Sequence, residues 1–360
     1  MQKNAFPPNP GNSGGEIEGF LRRPHPVQGG KSGSGFAKNR VVRISQLIDL
    51  ISMIMETQDL FRCNGHGLGG AGKVLKPPML TDEAAFGYPR DFLANQFVYL
   101  VVSPRARGLS VGVNLNPVVN CTFNCMYCEV DRTKPSRAMN LDVERMVQEL
   151  RTTLLLAHEG GLRAIAGYAQ FPEDLLAVRH VTLSGDGEPT IAGNFVEATE
   201  AIIHLRALGQ VPPFKIVLVT NSTALDQPQV QRGLKYLTKD DEVWAKLDAG
   251  TQRYLSRVNG TNIPIEKILA NILGLARRRP VVIQSLFPSI HRKGPSSYEI
   301  EQYARRLNEL SQQGANISMV QIYSATRPMA RSGCAHLPLR TLCSIAETVR
   351  KVAGLRAEVF

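Results

Sequence analysis

The chain has 360 residues, 43% of them hydrophobic and 20% charged. It is long enough for about two domains or one large α/β barrel, and apolar enough for a sizeable core, which excludes a chain disordered throughout. Lys and Arg number 42 against 31 Asp and Glu, a formal charge of +11; that balance permits RNA, an anionic substrate or an acidic electron donor as partner and selects none of them.

Six cysteines at this length exclude a secreted disulfide framework. The N-terminus lacks a short apolar core followed by a small-residue cleavage site, so no signal peptide is expected and the cytoplasm is the expected compartment. The longest apolar stretch, Val41 to Phe61, is interrupted by Arg43, Asp49, Glu56 and Asp59, so no membrane span is expected.

Residues 1–39 are rich in Gly, Pro, Ser and Asn with scattered basic residues and read as a disordered basic tail. An N-terminal extension follows over 40–108. In it Val42, Leu47, Leu50, Ile51, Ile54 and Phe61 recur at helical spacing. Residues Gly67 to Lys73 imitate the phosphate-binding G-x-x-x-x-G-K pattern, but Val74 stands where a Ser or Thr hydroxyl is needed for magnesium. The stretch from Gly65 to Lys73 therefore reads as a glycine-rich loop, of the kind that serves as a lid. Residues 97–103 read as a strand.

From 109 onward strands and helices alternate. Strand-like runs are Leu109–Leu115, Val181–Leu183, Lys215–Val219, Val243–Leu247, Val281–Leu286 and Ile317–Ile322. Helix-like segments fall at about 141–159, 193–208, 227–237, 264–278 and 297–313, with a last helix at about 339–353 in a C-terminal segment over 331–360. The alternation predicts an α/β protein with a parallel sheet. Chemistry in such a fold gathers at the C-terminal ends of the strands, and every polar motif of the chain follows one of these runs.

After the first run and the turn Asn116-Pro117 comes Cys121-Thr122-Phe123-Asn124-Cys125-Met126-Tyr127-Cys128. Three thiolates in C-x3-C-x2-C suit three corners of a [4Fe–4S] cube. No fourth cysteine is near, which leaves one iron for a non-protein ligand. A structural zinc site is the competing reading, but Cys63, Cys334, His336 and Cys343 supply no second short pair. The second run leads into Ser184-Gly185-Asp186-Gly187-Glu188-Pro189-Thr190, the third into Asn221 and Ser222, and the fourth carries Lys246 and Asp248 on one face by the period of two. Gln284 and Ser285 end the fifth, and the sixth leads to Arg327.

The cysteine loop, with an aromatic residue before its third cysteine, resembles the signature of the radical S-adenosylmethionine (radical SAM) superfamily. The resemblance spans about residues 109–330. It implies an open six-stranded (β/α) barrel, a TIM-like fold that is only partly closed. It implies a [4Fe–4S] cluster on Cys121, Cys125 and Cys128 whose open iron chelates the amino and carboxylate groups of S-adenosylmethionine, which is then reductively cleaved to a 5′-deoxyadenosyl radical. Tyr127, Gly185, Asp186, Gly187, Glu188, Asn221, Ser222, Asp248 and Gln284 are implied as cofactor-binding, with a reductant such as flavodoxin or ferredoxin as partner. The motif set resembles most the branch with the wyosine-type tRNA-modifying proteins, although only Cys63 lies upstream, where that branch carries cysteines for a second cluster. RNA is accordingly one candidate substrate, supported by the basic runs Arg22-Arg23, Arg105/Arg107, Arg277 to Arg279 and Arg292-Lys293. A peptide or small metabolite is the alternative. A non-catalytic iron–sulfur or zinc protein is the reading from a different class.

Overall fold

The computed structural model describes residues 92–130, 132, 140–165, 168, 171–325, 329 and 332–360. The expected tail, the helix before residue 62, Cys63, the Gly65 to Lys73 loop and Arg327 lie outside the described residues.

Strand β1 (Val98–Ser103) pairs antiparallel with β2 (Gly108–Asn114). Then follow α1 (Val143–His158), a single-turn α2 (Glu173–Leu176), β3 (Val178–Ser184), α3 (Phe195–Ala207), β4 (Lys215–Thr220), α4 (Pro228–Leu234) and β5 (Glu242–Lys246). The second half runs α5 (Gln252–Asn259), α6 (Ile265–Ala276), β6 (Val281–Leu286), β7 (Ser289–Ile290), α7 (Ser297–Gln312), β8 (Ile317–Tyr323), β9 (Cys334–Ala335), α8 (Leu339–Ala353) and β10 (Ala357–Val359). Among the described residues the main sheet has the order β1-β2-β3-β4-β5-β6-β8-β10, and every pairing from β2 onward is parallel. All six expected strands are present as β2–β6 and β8. The strand expected at 97–103 is β1, and β10 adds an eighth that three residues after Gly354 were too short to announce.

The alternation of side chains decides which face meets the helices. In β2, Leu109, Val111 and Val113 are buried in the main core, and Ser110, Gly112 and Asn114 take the other face. The same alternation puts Val181 and Leu183, Ile216 and Leu218, Val243 and Ala245, Ile283, and Val320 and Ile322 against the helices. Burying each Val, Leu or Ile of this set contributes about 1.5–3 kcal/mol. The opposite face is mixed: Ser110 and Thr182 hydroxyls meet at 2.6 Å, His180 lies edge-on to Trp244 with ring centroids 5.5 Å apart, and Val217, Trp244 and Val282 form a small apolar cluster of their own.

The sheet curls on itself. The Arg105 guanidinium, from the turn between β1 and β2, lies 4.3 Å from the centroid of the Tyr323 ring on β8. From the same turn Arg107 reaches Glu358 of β10 at 3.4 Å. The two ends of the strand order are thus brought together, and the face turned away from the helices becomes the inside of a partial barrel. Parallel strands place the ends of β3, β4 and β5, with the segments that follow them, on one edge around its mouth.

Candidate active site

The cysteine loop lies across this mouth, held between the end of β4 and the end of α5. On the β4 side, Asn221 Nδ2 donates to Thr122 Oγ1 at 2.8 Å, and the Thr122 and Thr223 hydroxyls meet at 2.7 Å. On the α5 side, the backbone amides of Asn124 and Met126 donate to the carbonyls of Asn259 and Val258, both at 2.8 Å. The last carbonyls of a helix have no partner within it, so the loop caps α5. Gly260 ends that helix at φ 56°, where a Cβ would stand 2.4 Å from the Asn124 carbonyl oxygen.

Cys121, Cys125 and Cys128 are free thiols, each half-buried. The sulfurs collect N–H donors. The Phe123 amide reaches Cys121 Sγ at 3.4 Å and Asn221 Nδ2 reaches it at 3.6 Å, while Asn259 Nδ2 reaches Cys125 Sγ at 3.4 Å. Burial pushes the Cys125 thiol up to about 12, with the nearby Asp248 charge adding to it, and burial also raises Cys121. Thiolates at these positions need a cationic partner and donors, which is what iron and the surrounding N–H groups supply. Among the described residues no three His, Cys, Asp or Glu side chains gather as ligands of one metal ion. Three thiols on one short loop, with N–H donors to their sulfurs, are the kind of donor set that a three-cysteine iron–sulfur cluster uses.

The glycine-rich turn after β3 sits beside the loop. Gly187 and Glu188 donate their amides to the carbonyls of Asn116 and Asn120, at 3.1 and 2.8 Å. Gly185 stands at φ 152° with Asn114 Oδ1 where a Cβ would be, at 2.0 Å. Asn114 Nδ2 holds Asp186 Oδ2 at 2.6 Å. Glu188 is buried, and its carboxylate accepts from the Thr190 amide and hydroxyl, the Thr220 hydroxyl and the Asn221 amide. It ties the turn after β3 to the end of β4. Ser222, fully buried at φ 69°, donates its hydroxyl to the Lys246 carbonyl at 3.4 Å.

Asp248 is buried at the centre of a polar network. Its Oδ1 accepts from the Leu286 amide at 2.8 Å and stands 3.3 Å from Lys246 Nζ. Its Oδ2 accepts from the Tyr127 hydroxyl in a short bond and from Asn259 Nδ2 at 2.7 Å. Burial opposes the charge on Lys246, but Asp248, followed by Tyr323 and Cys125, outweighs it and holds the ammonium above its ordinary value. Burial and then Asp248 hold the Tyr127 phenol well above its own. Lys246 lies over the rings of Tyr127 and Tyr323, 5.3 and 5.5 Å from their centroids. Gln284 faces the same interior and donates to Gln321 Oε1 at 3.4 Å.

Comparison with known proteins settles the family of this region. The sequence model of the radical SAM superfamily matches residues 115–288. The chain carries a radical SAM domain. The superfamily works with a [4Fe–4S] cluster and S-adenosylmethionine, and its members are enzymes. The chain is similar to the UPF0026 protein slr1464 of Synechocystis, 31% identical over 179 residues, which is 49% of this chain and 57% of that one. It is equally similar to a UPF0026 protein of Helicobacter pylori strain 26695, 31% identical over 183 residues, 49% of this chain and 50% of that one. The chain thus spans about half the length of the curated relatives it matches. Among solved structures it is similar to TYW1 with a lysine-pyruvate adduct bound, at 17% identity and TM-score 0.45, over 68% of this chain and 74% of that one.

Of the expected site residues, Cys121, Cys125, Tyr127, Asn221, Asp248 and the Gly185–Glu188 turn are brought together at the mouth of the radical SAM barrel, and Gln284 faces its interior. Sequence reasoning missed α5 and with it Asn259. The signal was present: Thr251, whose hydroxyl caps the helix by accepting from the Tyr254 amide, and Gly260 in the left-handed region bracket Leu255 and Val258 at helical spacing. Asn114 and Asn116 were also missed, because a polar residue at a strand end carries no motif until its neighbours are known.

Proposed function

We propose that Cys121, Cys125 and Cys128 hold a [4Fe–4S] cluster and that the protein uses it to open S-adenosylmethionine for radical chemistry on a substrate drawn into the barrel. The observation that carries this reading is the single loop bearing three free thiols, anchored across the C-terminal edge of the sheet beside the Gly185–Glu188 turn. When bound, the cluster supplies the electron and S-adenosylmethionine supplies the 5′-deoxyadenosyl group that abstracts a hydrogen atom. The residues of this chain do the holding and shielding. Gly185, Asp186 and Gly187 present backbone and one carboxylate at the mouth, where an ammonium group finds acceptors. Glu188 fixes that turn against Asn221, and Asn221 in turn holds Thr122 beside the first cysteine. Asp248 fixes Tyr127 next to the third cysteine. Gln284 and Ser222 complete the set assigned to the cofactor.

Anaerobic reconstitution tests this directly. The protein should bind about four irons and four sulfides per chain and, with S-adenosylmethionine and dithionite, release 5′-deoxyadenosine. Cys121→Ala, Cys125→Ala and Cys128→Ala should each lose both properties. A fully loaded sample that releases no 5′-deoxyadenosine would overturn the reading.

RNA as the substrate is favoured by one observation. Arg292 and Lys293 stand exposed on a tight turn directly after β7, on the edge of the sheet that bears the cysteines. The Arg277 to Arg279 run does not add to it. Those guanidinium groups donate to the carbonyls of Gln313, Gly274, Thr238 and Asp241 at the opposite edge. Phosphate contacts through Arg292 and Lys293 would make tRNA affinity fall steeply with salt, and replacing both with Ala would flatten the slope by about two contacts. Binding that is absent or indifferent to salt removes RNA and leaves a peptide or small metabolite.

A further inference from the structure

Asn259 is fully buried at the last turn of α5, where the structure gives its side chain three neighbours on one side. Its Nδ2 lies 2.7 Å from Asp248 Oδ2, 3.0 Å from the Tyr127 hydroxyl and 3.4 Å from Cys125 Sγ. The amide has two N–H groups. One goes to the Asp248 carboxylate. The other is shared between Tyr127, whose own proton is already given to Asp248, and the Cys125 sulfur.

The orientation of this amide is set by chemistry. Turned the other way, Oδ1 would face the Asp248 carboxylate, acceptor against acceptor. As it stands, Oδ1 is buried with no hydrogen-bond partner, an unfavourable state for a carbonyl. The surroundings therefore favour the donor side toward carboxylate and sulfur strongly enough to leave the carbonyl unmet. Asp248 is itself held by the Leu286 amide and Lys246, and the backbone of α5 grips the cysteine loop through Asn124 and Met126. The donor is thus fixed from three elements.

We propose that Asn259 is a positioning residue of the cluster: its side-chain amide donates to the Cys125 thiolate and raises the potential at which the cluster accepts its electron. The inference rests on the cluster reading above. A donor to a cluster sulfur stabilises negative charge there, and the added electron increases that charge, so the bond is stronger in the reduced state. Asn221 Nδ2 approaches Cys121 in the same sense but more loosely, at 3.6 Å, with Thr122 Oγ1 nearer at 2.8 Å.

The test is a redox titration of the reconstituted full chain, followed by electron paramagnetic resonance (EPR), against Asn259→Leu. Iron and sulfide content is read first: a wild-type chain that holds no cluster overturns the cluster reading itself. With both proteins loaded, Asn259→Leu should need a more negative potential. At a fixed poise its oxidised-to-reduced ratio should rise about tenfold, which is about 59 mV for one electron. An unchanged midpoint in a loaded variant overturns the role of Asn259 and leaves the cluster reading standing. Should Asn259→Leu fail to hold iron, a protein that keeps Asn259 decides. With asparagine labelled at its side-chain nitrogen in an Asn221→Ser background, pulsed EPR of the reduced cluster should still show a weakly coupled 15N nucleus, that of Asn259. Its absence overturns the proposal.

Discussion

Glu188 and His180 are both buried on strand β3 or the turn after it, and each is tuned by what surrounds it. The Glu188 carboxylate satisfies the amides of Thr190 and Asn221 in a site with no water-facing alternative. Glu188→Ala leaves those donors unmet, and with about 1–3 kcal/mol for each buried unsatisfied group the variant should lose about 3 kcal/mol in urea unfolding. It should also retain less iron, since Asn221 reaches the cysteine loop. His180 is lowered from 6.5 to about 4, by burial first and then by the Lys215 charge. It stays neutral in the fold while the unfolded chain takes up a proton below 6.5. Stability is therefore complete above about pH 6.5 and falls as the pH drops toward 4. At about 1.4 kcal/mol per pH unit the loss reaches about 3 kcal/mol. His180→Phe, which keeps the edge contact with Trp244, should flatten this acid limb in denaturant titrations at pH 4 to 7.

Helix α5 acts as an element rather than as a set of residues. Eight residues long, it has little helical stability of its own. Thr251 starts it, Gly260 ends it, and the cysteine loop seals its terminal carbonyls, so helix and loop hold each other. Gly260→Ala combines a left-handed φ with a Cβ placed 2.4 Å from the Asn124 carbonyl oxygen. The variant should lose at least about 1 kcal/mol of stability and bind distinctly less iron on reconstitution. Gly274 on α6 is the contrast. It is exposed, and a Cβ there meets nothing within 4 Å. Gly274→Ala should add about 0.8 kcal/mol and leave iron content unchanged. Equal effects of the two substitutions on iron would show that the loop does not depend on α5.

On the scale of the whole molecule, the two edges of the parallel sheet do different work. The C-terminal edge carries the cysteines, the glycine-rich turn and the buried Lys246–Asp248 pair. The N-terminal edge carries structural charge: Arg206 with Asp241 at 2.7 Å, Lys215 with Glu242 at 2.7 Å, and the Arg277 to Arg279 run on backbone carbonyls. Arg278→Ala should therefore cost under about 1 kcal/mol, as exposed charged contacts do, and under the proposed function should alter neither 5′-deoxyadenosine release nor any binding of tRNA. A fall in either would place substrate at the wrong edge for this chemistry.

The strands, most helices and the cysteine loop were legible in the sequence because each is a local property. Side-chain alternation marks β2 to β6 and β8, helical spacing marks α1, α3, α4 and α6 to α8, and C-x3-C-x2-C needs only eight consecutive residues. The motif after each strand was legible for the same reason, once parallel strands were expected to share an edge. What the side chains do there was decided only by the tertiary structure. Glu188, Asp248, Asn221 and Asn259 come from four segments separated by up to 71 residues in the chain numbering, and a hydrogen bond depends on distances of a few tenths of an ångström that no spacing pattern encodes. The charge on Lys246 and the donor on Cys125 exist as chemical facts only after the curl of the sheet and the docking of α5 have removed water from around them.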